Sequence, residues 1–308
     1  MKKSIVGVVR ASSYNVEYLT KRIQKVVEYI GGCNEVGNYD KIVIKINMCD
    51  AREPNTGAIT HPKFLEAVLR WIREENRGAE VFVVESDATR TLADLYIRWF
   101  GYLKIMEKYR AKWVNLTEAP KKRERFKKLK IFREFDVPEV FYDAFFITLP
   151  KLKTNILSDI TCCLKNQYGC LPIVNKDIYH RVLSRAIAEL NVIFRPSLCI
   201  VDGIIAMGGA QGPAFGVPIP AKIIICGRDP VAVDAFAAKY IGFNPRKVKH
   251  IKVAAKLGVG SLKYRVVGEK IRKINFENRR WEFIAFKLGI KRQLRAWSAY
   301  RYSWRGRR

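Results

Sequence analysis

Three lysines and two asparagines crowd the stretch Asp143–Leu171, DAFFITLPKLKTNILSDITCCLKNQYGCL. An apolar strand-like run, Ala144–Leu149, meets Pro150. Lys151, Lys153 and Asn155 follow at alternate positions in what reads as a compact loop, with Lys165 and Asn166 close behind. Polar groups released where a buried strand ends are how α/β proteins build ligand sites. Lysine supplies a mobile point charge and an amide both donates and accepts, so the expected ligand is a small anion, phosphorylated or carboxylated. Lys165 is a catalytic candidate; Lys151, Lys153, Asn155 and Asn166 are binding candidates. The plainer alternative for these lysines is ion pairing with Glu85, Asp202 or Asp229.

The same chemistry recurs at other strand ends. Lys45 and Asn47 close the run Lys41–Ile46 and are binding candidates, although Asn47 could simply serve its own loop. Glu85 follows the strand Glu80–Val84, where a carboxylate can act as a base, ligate a cation or pair with Lys45. His61 reads as a helix-start residue. Asp202, before Gly203, suits a catalytic or metal-binding carboxylate, or a turn. Gly209 and Gly212 in GGAQGP offer backbone N–H groups to an oxyanion, in a loop that is neither a Walker sequence nor GxGxxG. Asp229-Pro230 has the form of an N-cap followed by a first-turn proline, which accounts for Asp229 even without its candidate ligand role. Asp234 falls inside an apolar helix and needs a partner, most simply a lysine or arginine of the site. Lys165, Asp202, Asp234 and Glu85 are thus the catalytic candidates, and no residue set names a metal or cofactor.

Seven cysteines form no CxxC pair. Lys165 beside Cys162 and Cys163 would lower a thiol pKa. Adjacent side chains diverge on most backbones, so packing is the simpler role for both. Cys199 and Cys226, inside apolar runs, are core residues.

Strand-like and helix-like segments alternate along the chain. Ile5–Val9, Lys41–Ile46, Glu80–Val84, Lys112–Leu116, Ala144–Leu149, Ser197–Val201 and Lys222–Cys226 read as strands. Between them Val16–Ile30, a segment starting at Thr60-His61-Pro62, Leu92–Ile105, Lys176–Ile193, Asp229–Tyr240 and Val248–Leu257 have helical spacing. Gly203–Pro220 reads as a long glycine-rich loop. The rhythm predicts an α/β fold, a mostly parallel sheet flanked by helices, in two intimate βαβ halves. The halves are expected at about 1–118 and 137–268, with a basic insertion at 119–136 and a basic aromatic tail at 269–308.

The formal net charge is +28. Such a charge draws polyanions to the surface but does not define a fold. Scarce glutamine beside abundant Lys, Arg, Ile, Val and Tyr is a composition compatible with hot-living organisms. KKRERFKKLKIFR, from Lys121 to Arg133, is either a polyanion-binding arm, through Lys121, Lys122 and Arg123, or a solvated hairpin. In the tail, Arg279, Arg280, Arg292 and Arg295 interleave with aromatics such as Trp281, Phe283 and Trp297. Arginine with aromatics suits RNA phosphates and stacked bases, and, as a weaker alternative, an anionic membrane surface. An RNA- or ribosome-associated protein is therefore the alternative to an enzyme or binding protein for a small anion. No secretory signal follows Met1-Lys2-Lys3, and the uncharged stretch Gly203–Ala221 is too rich in Gly and Pro for a membrane helix. A reduced cytoplasm is the expected location.

The ordered set VIKIN (Val43–Asn47), THP (Thr60–Pro62), LPKLKT (Leu149–Thr154), CLKNQYG (Cys163–Gly169), VDGIIAMGG (Val201–Gly209) and DPVAVDA (Asp229–Ala235) resembles the DUF362 family, over roughly Lys41 to Gly260. The family is named for lacking an assigned function. Some relatives carry a ferredoxin-like four-cysteine segment. This chain has none, so the resemblance implies no iron–sulfur cluster here. Asn155 stands where the resemblance leads one to expect histidine, which removes a titratable group. More remotely, the layout is similar to that of the lactate racemase superfamily.

Overall fold

Strands with consecutive valines and isoleucines must be covered on both faces. KIVIKI does this directly: Ile42, Ile44 and Ile46 join one apolar cluster, and Val43 the cluster on the other side. The computed structural model describes residues 3–49, 51–89, 91–209, 216–274 and 276.

The strands of the first part are β1 (Ser4–Arg10), β2 (Lys41–Ile46), β3 (Glu80–Glu85), β4 (Ala111–Asn115), β5 (Lys121–Arg125) and β6 (Glu134–Pro138). Then come β7 (Phe145–Leu149), β8 (Lys151–Asn155), β9 (Asp159–Thr161), β10 (Leu198–Gly209), β11 (Gly216–Ile219), β12 (Ile223–Gly227) and β13 (Tyr264–Gly268). The helices are α1 (Val16–Tyr29), α2 (Glu35–Asn38), α3 (Pro62–Glu75), α4 (Ala93–Trp99) and α5 (Tyr102–Lys108). In the second part they are α6 (Cys163–Asn166), α7 (Leu183–Ile193), α8 (Pro230–Tyr240) and α9 (Lys249–Lys256).

The main sheet runs β13-β1-β12-β10-β7-β2-β3-β4. Five of these seven pairings are parallel; β12 is antiparallel to both β1 and β10. The fold is α/β, with α1, α3, α4 and α5 supplying the apolar layer on one face and α6 to α9 on the other. Pro62 opens α3 at its first turn, with His61 as the cap. The stretch expected as one helix over Leu92–Ile105 divides at Gly101, whose φ of 73° no helix accommodates. Likewise Lys176–Val182 forms 3-10 turns before α7. β5 and β6 pair as the hairpin anticipated in the basic insertion, and its Arg123 is held by Asp136 at 3.0 Å and Glu134 at 3.3 Å.

Two segments expected as loops are strands, and that correction bears on the site. β8 continues from β7 across Pro150 and pairs with β10. Proline lacks only its N–H; its carbonyl still accepts from the Asp202 amide at 3.0 Å, so the ladder survives. Gly203 lies inside β10 rather than at its end. A Cβ there would stand 2.7 Å from Ile223 Cγ2 and 2.8 Å from the Ile223 carbonyl oxygen, so glycine permits the close approach of β12. Among the described residues, no helix is long and apolar enough to cross a membrane.

Candidate functional site

At the carboxyl ends of β2 and β3 the chain encloses a cavity of about 260 Å³. Asn47 and Cys49 enter it from the loop after β2, Glu85 and Ser86 from the end of β3, Lys153 and Asn155 from β8. Lys165 and Asn166 come from α6, and Tyr168, Gly169 and Lys176 from the turns that follow. Side chains distant in sequence therefore meet at one rim because parallel strands deliver their ends to the same edge.

The wall is built around a buried ion pair, Lys45 to Glu85 at 2.5 Å. Glu85 also accepts the Ser86 amide at 3.0 Å, and Lys45 donates to the Ile46 carbonyl at 2.8 Å. Gly169 packs directly on this pair: a Cβ would lie 2.5 Å from both Glu85 Oε2 and Lys45 Nζ. Lys153 donates to the Ala58 carbonyl at 2.8 Å and lies 3.3 Å from Cys49 Sγ. Lys176 donates to Ser86 Oγ at 2.6 Å and to the Asp87 carbonyl. Burial lowers its amine to about 8, against the pull of Glu85.

Lys165 differs from these. Its ammonium has no hydrogen bond or ion pair among the described residues; it lies over the Tyr168 ring, 5.9 Å from the centroid. Burial brings this amine also down to about 8, with Cys49 opposing the shift and Lys153 adding to it. Beside it, Asn166 donates through Nδ2 to the Lys45 carbonyl at 3.1 Å and to Thr148 Oγ1 at 2.8 Å. Thr148 spends its own proton on Gln167, so the Asn166 amide is oriented and its Oδ1 is left buried without a donor. Asn47 Oδ1 is buried and unpartnered in the same cavity. Buried polar atoms are nearly always paired. A cavity lined by a cation unpaired among the described residues, with two unpartnered amide oxygens in its wall, suits an anion that also carries hydrogen-bond donors.

Lys151 and Asp202 do not join this cavity. They form a closed pair at 2.7 Å, fully buried, further back along β8. Tyr14 hydroxyl bridges them, donating to Asp202 Oδ1 at 2.9 Å and accepting from Lys151 at 2.8 Å. Burial pulls the Lys151 amine below its usual value even against the Asp202 charge, and pushes the Tyr14 phenol up. The His61 amide donates to Asp202 at 3.0 Å, and its ring stacks on Tyr14 with centroids 3.7 Å apart. Burial lowers this imidazole to about 4. The pairing alternative raised for the lysines is what holds for Lys151 with Asp202 and for Lys45 with Glu85.

Asp234 is buried, but its partners are not cationic. It accepts the amides of Cys163 at 2.8 Å and Leu164 at 3.1 Å and so fixes the start of α6, which presents Lys165 and Asn166. Cys162 and Cys163, expected to diverge, have their sulfurs 4.0 Å apart. Nor does Lys165 activate them: burial pushes Cys162 up to about 12 and Cys163 well above the ordinary thiol value. Asp229 lies away from the site, since β12 runs against its neighbours. It caps α8 through the Val231 and Ala232 amides, at 2.9 and 3.0 Å, and takes the Ser4 hydroxyl at 2.6 Å. Asn155 accepts the amides of Leu157 and Ser158 in the turn before β9. Gly209 offers its carbonyl, to Thr154 Oγ1 at 3.0 Å, rather than an amide. Gly212, Arg279, Arg280, Arg292 and Arg295 lie outside the described residues.

Lys176, Cys49, Ser86 and Gly169 escaped the sequence reading. Gly169 alone left a signal, as the end of CLKNQYG. Two larger grooves, of about 730 and 540 Å³, run along α7 and α9, lined by residues such as Leu157, Arg181, Lys249 and Lys252. Neither contains any of the buried polar atoms left without a partner.

A family model described as a domain of unknown function, DUF362, matches residues 42–239. The chain is a member of the DUF362 family. It is 25% identical over 273 residues to the thylakoid-associated protein sll1697 of Synechocystis sp., covering 82% of this chain and 79% of that protein. Among solved structures it is similar to the lactate racemase apoprotein from Thermoanaerobacterium thermosaccharolyticum, with a TM-score of 0.43 and 13% identity. That match covers 85% of this chain, which spans 58% of the racemase chain.

Proposed function

We propose that this protein binds, and acts chemically on, a small anionic molecule bearing both an oxyanion and hydroxyl or amine donors, in the cytoplasm. Lys153, Lys165 and Lys176 would neutralise the oxyanion, while Asn47 and Asn166 would accept from the donors. The observation that carries the reading is the Lys165 ammonium, without a counter-charge among the described residues and next to an amide oxygen oriented toward no donor. Burying such groups is costly unless something fills the space between them. An amine held near 8 exchanges protons readily at neutral pH, which suits Lys165 to general acid–base work. Glu85, locked to Lys45, sets the field of the cavity.

Thermal stability of the full chain across a panel of phosphorylated sugars, hydroxy acids and amino acids tests this directly. At least one should raise the melting temperature in wild-type protein and not in Lys165→Ala. A panel that leaves wild-type protein unchanged, or a response that survives Lys165→Ala, removes the reading.

The alternative, RNA association through the hairpin and tail, rests on charge. Arg123, one of its candidate contacts, is already spent on Asp136 and Glu134. Binding to an RNA pool that falls steeply with salt, and vanishes on deleting Lys270–Arg308, would favour it instead.

A further inference from the structure

On the inner side of α6, away from the anion cavity, three metal-binding side chains meet, and a histidine lies beside one of them. Among the described residues, Cys162 Sγ, Cys163 Sγ and a carboxylate oxygen of Asp234 lie within 4.8 Å of one another. His250, from α9, brings its Nε2 to 3.9 Å from Asp234 Oδ2. All four residues are fully buried. The His250 ring has no hydrogen-bond partner at either nitrogen, although it lies beside a carboxylate. Packing alone leaves that unexplained, because a buried imidazole ordinarily satisfies at least one nitrogen.

We propose that Cys162, Cys163 and Asp234 bind a divalent transition metal, with zinc the ion best matched to the donor set, and that the unpartnered His250 ring turns in from beside Asp234 as the fourth ligand. Two sulfurs, one imidazole and one carboxylate are a tetrahedral zinc combination. At zinc–sulfur bonds of about 2.3 Å, a regular tetrahedron separates its sulfurs by about 3.8 Å; here they are 4.0 Å apart. Neighbouring cysteines rarely aim at one point. Cys162, at φ −151° and ψ −141° just before α6, makes them do so.

Binding displaces the two thiol protons to solvent, leaving two thiolates, one carboxylate and a neutral imidazole around M²⁺, a net charge of −1. Asp234 keeps its amide bonds to α6, so the ion would tie α9 and α6 together behind Lys165. The proposal does not depend on what fills the anion cavity.

The test is zinc K-edge absorption fine structure on the full chain, equilibrated with zinc under reducing conditions and freed of excess. The expected result is one zinc per chain, with two sulfurs at about 2.3 Å and two nitrogen or oxygen atoms at about 2.0 Å. No retained zinc, or a shell of three or four sulfurs, overturns the assignment. In chelator competition His250→Ala should lose affinity by about tenfold or more, whereas Cys33→Ser should not. Wild-type affinity in His250→Ala also overturns it. Because the absorption measurement uses unmodified protein, a variant that fails to fold does not shield the proposal. Lys165→Ala abolishing an anion response while zinc uptake is absent would sink this centre and spare the cavity.

Discussion

Replacing Lys165 by methionine keeps the length of the side chain and removes its charge. In the folded protein this amine lies near 8 instead of the usual 10.5, chiefly through burial. The folded state therefore holds fewer protons than the unfolded chain between about pH 8 and 10.5, and stability rises with pH across that window. Below pH 8 the folded protein carries the whole cost of the buried ammonium. A gap of roughly 2.5 pH units at about 1.4 kcal/mol each gives about 3.5 kcal/mol as an upper bound. Part of the side chain reaches solvent, so about 1–3 kcal/mol is the expected gain for Lys165→Met at pH 7. At about 2 °C per kcal/mol, chelator-treated protein should melt about 2–6 °C higher than wild type. The same variant should lose the anion-induced rise in melting temperature. Stability gained with ligand response lost is the signature of a residue kept for binding. A variant that melts lower than wild type, or one that still responds to the anion, refutes the reasoning.

Other consequences follow from the same geometry. Gly169→Ala pushes a methyl group into the Lys45–Glu85 pair and should cost about 2–4 kcal/mol in urea unfolding, with anion affinity lowered as Glu85 shifts. Lys151→Met strands the buried Asp202 and should cost about 3–5 kcal/mol. The double variant Lys151→Met/Asp202→Leu should recover most of it, and a double-mutant cycle reads the difference. Both Lys165 and Lys176 lose their protons as pH passes about 8, so anion affinity measured calorimetrically should hold from pH 6 to 7.5 and fall above pH 8. A profile flat to pH 10 contradicts the assignment of these amines to the oxyanion.

The α/β architecture was legible because buried parallel strands print unbroken apolar runs, as in Ile42–Ile46, and helices start at marked points such as Pro62 and Pro230. What misled was local chemistry with two meanings. Pro150 and Gly203 both read as strand terminators, yet one still accepts a ladder bond and the other makes room for Ile223. Lysines at alternate positions therefore became neighbours on one face of a strand, with Lys151 closed on Asp202 and Lys153 in the cavity. Asp234 was expected to need a cation, but backbone amides serve a carboxylate as well and leave no mark in the sequence. Lys176, inside a segment that reads as continuous helix, reaches the cavity only because 3-10 turns place it there.

Of the seven thiols, six are buried and Cys49 is exposed, on the cavity wall 3.3 Å from the Lys153 ammonium. A maleimide or iodoacetamide probe should thus alkylate the native fold at a single place. Whatever occupies the cleft would shield that sulfur, giving the protein its own footprinting handle. Candidate compounds can then be ranked by how far they slow the labelling, before any turnover assay exists.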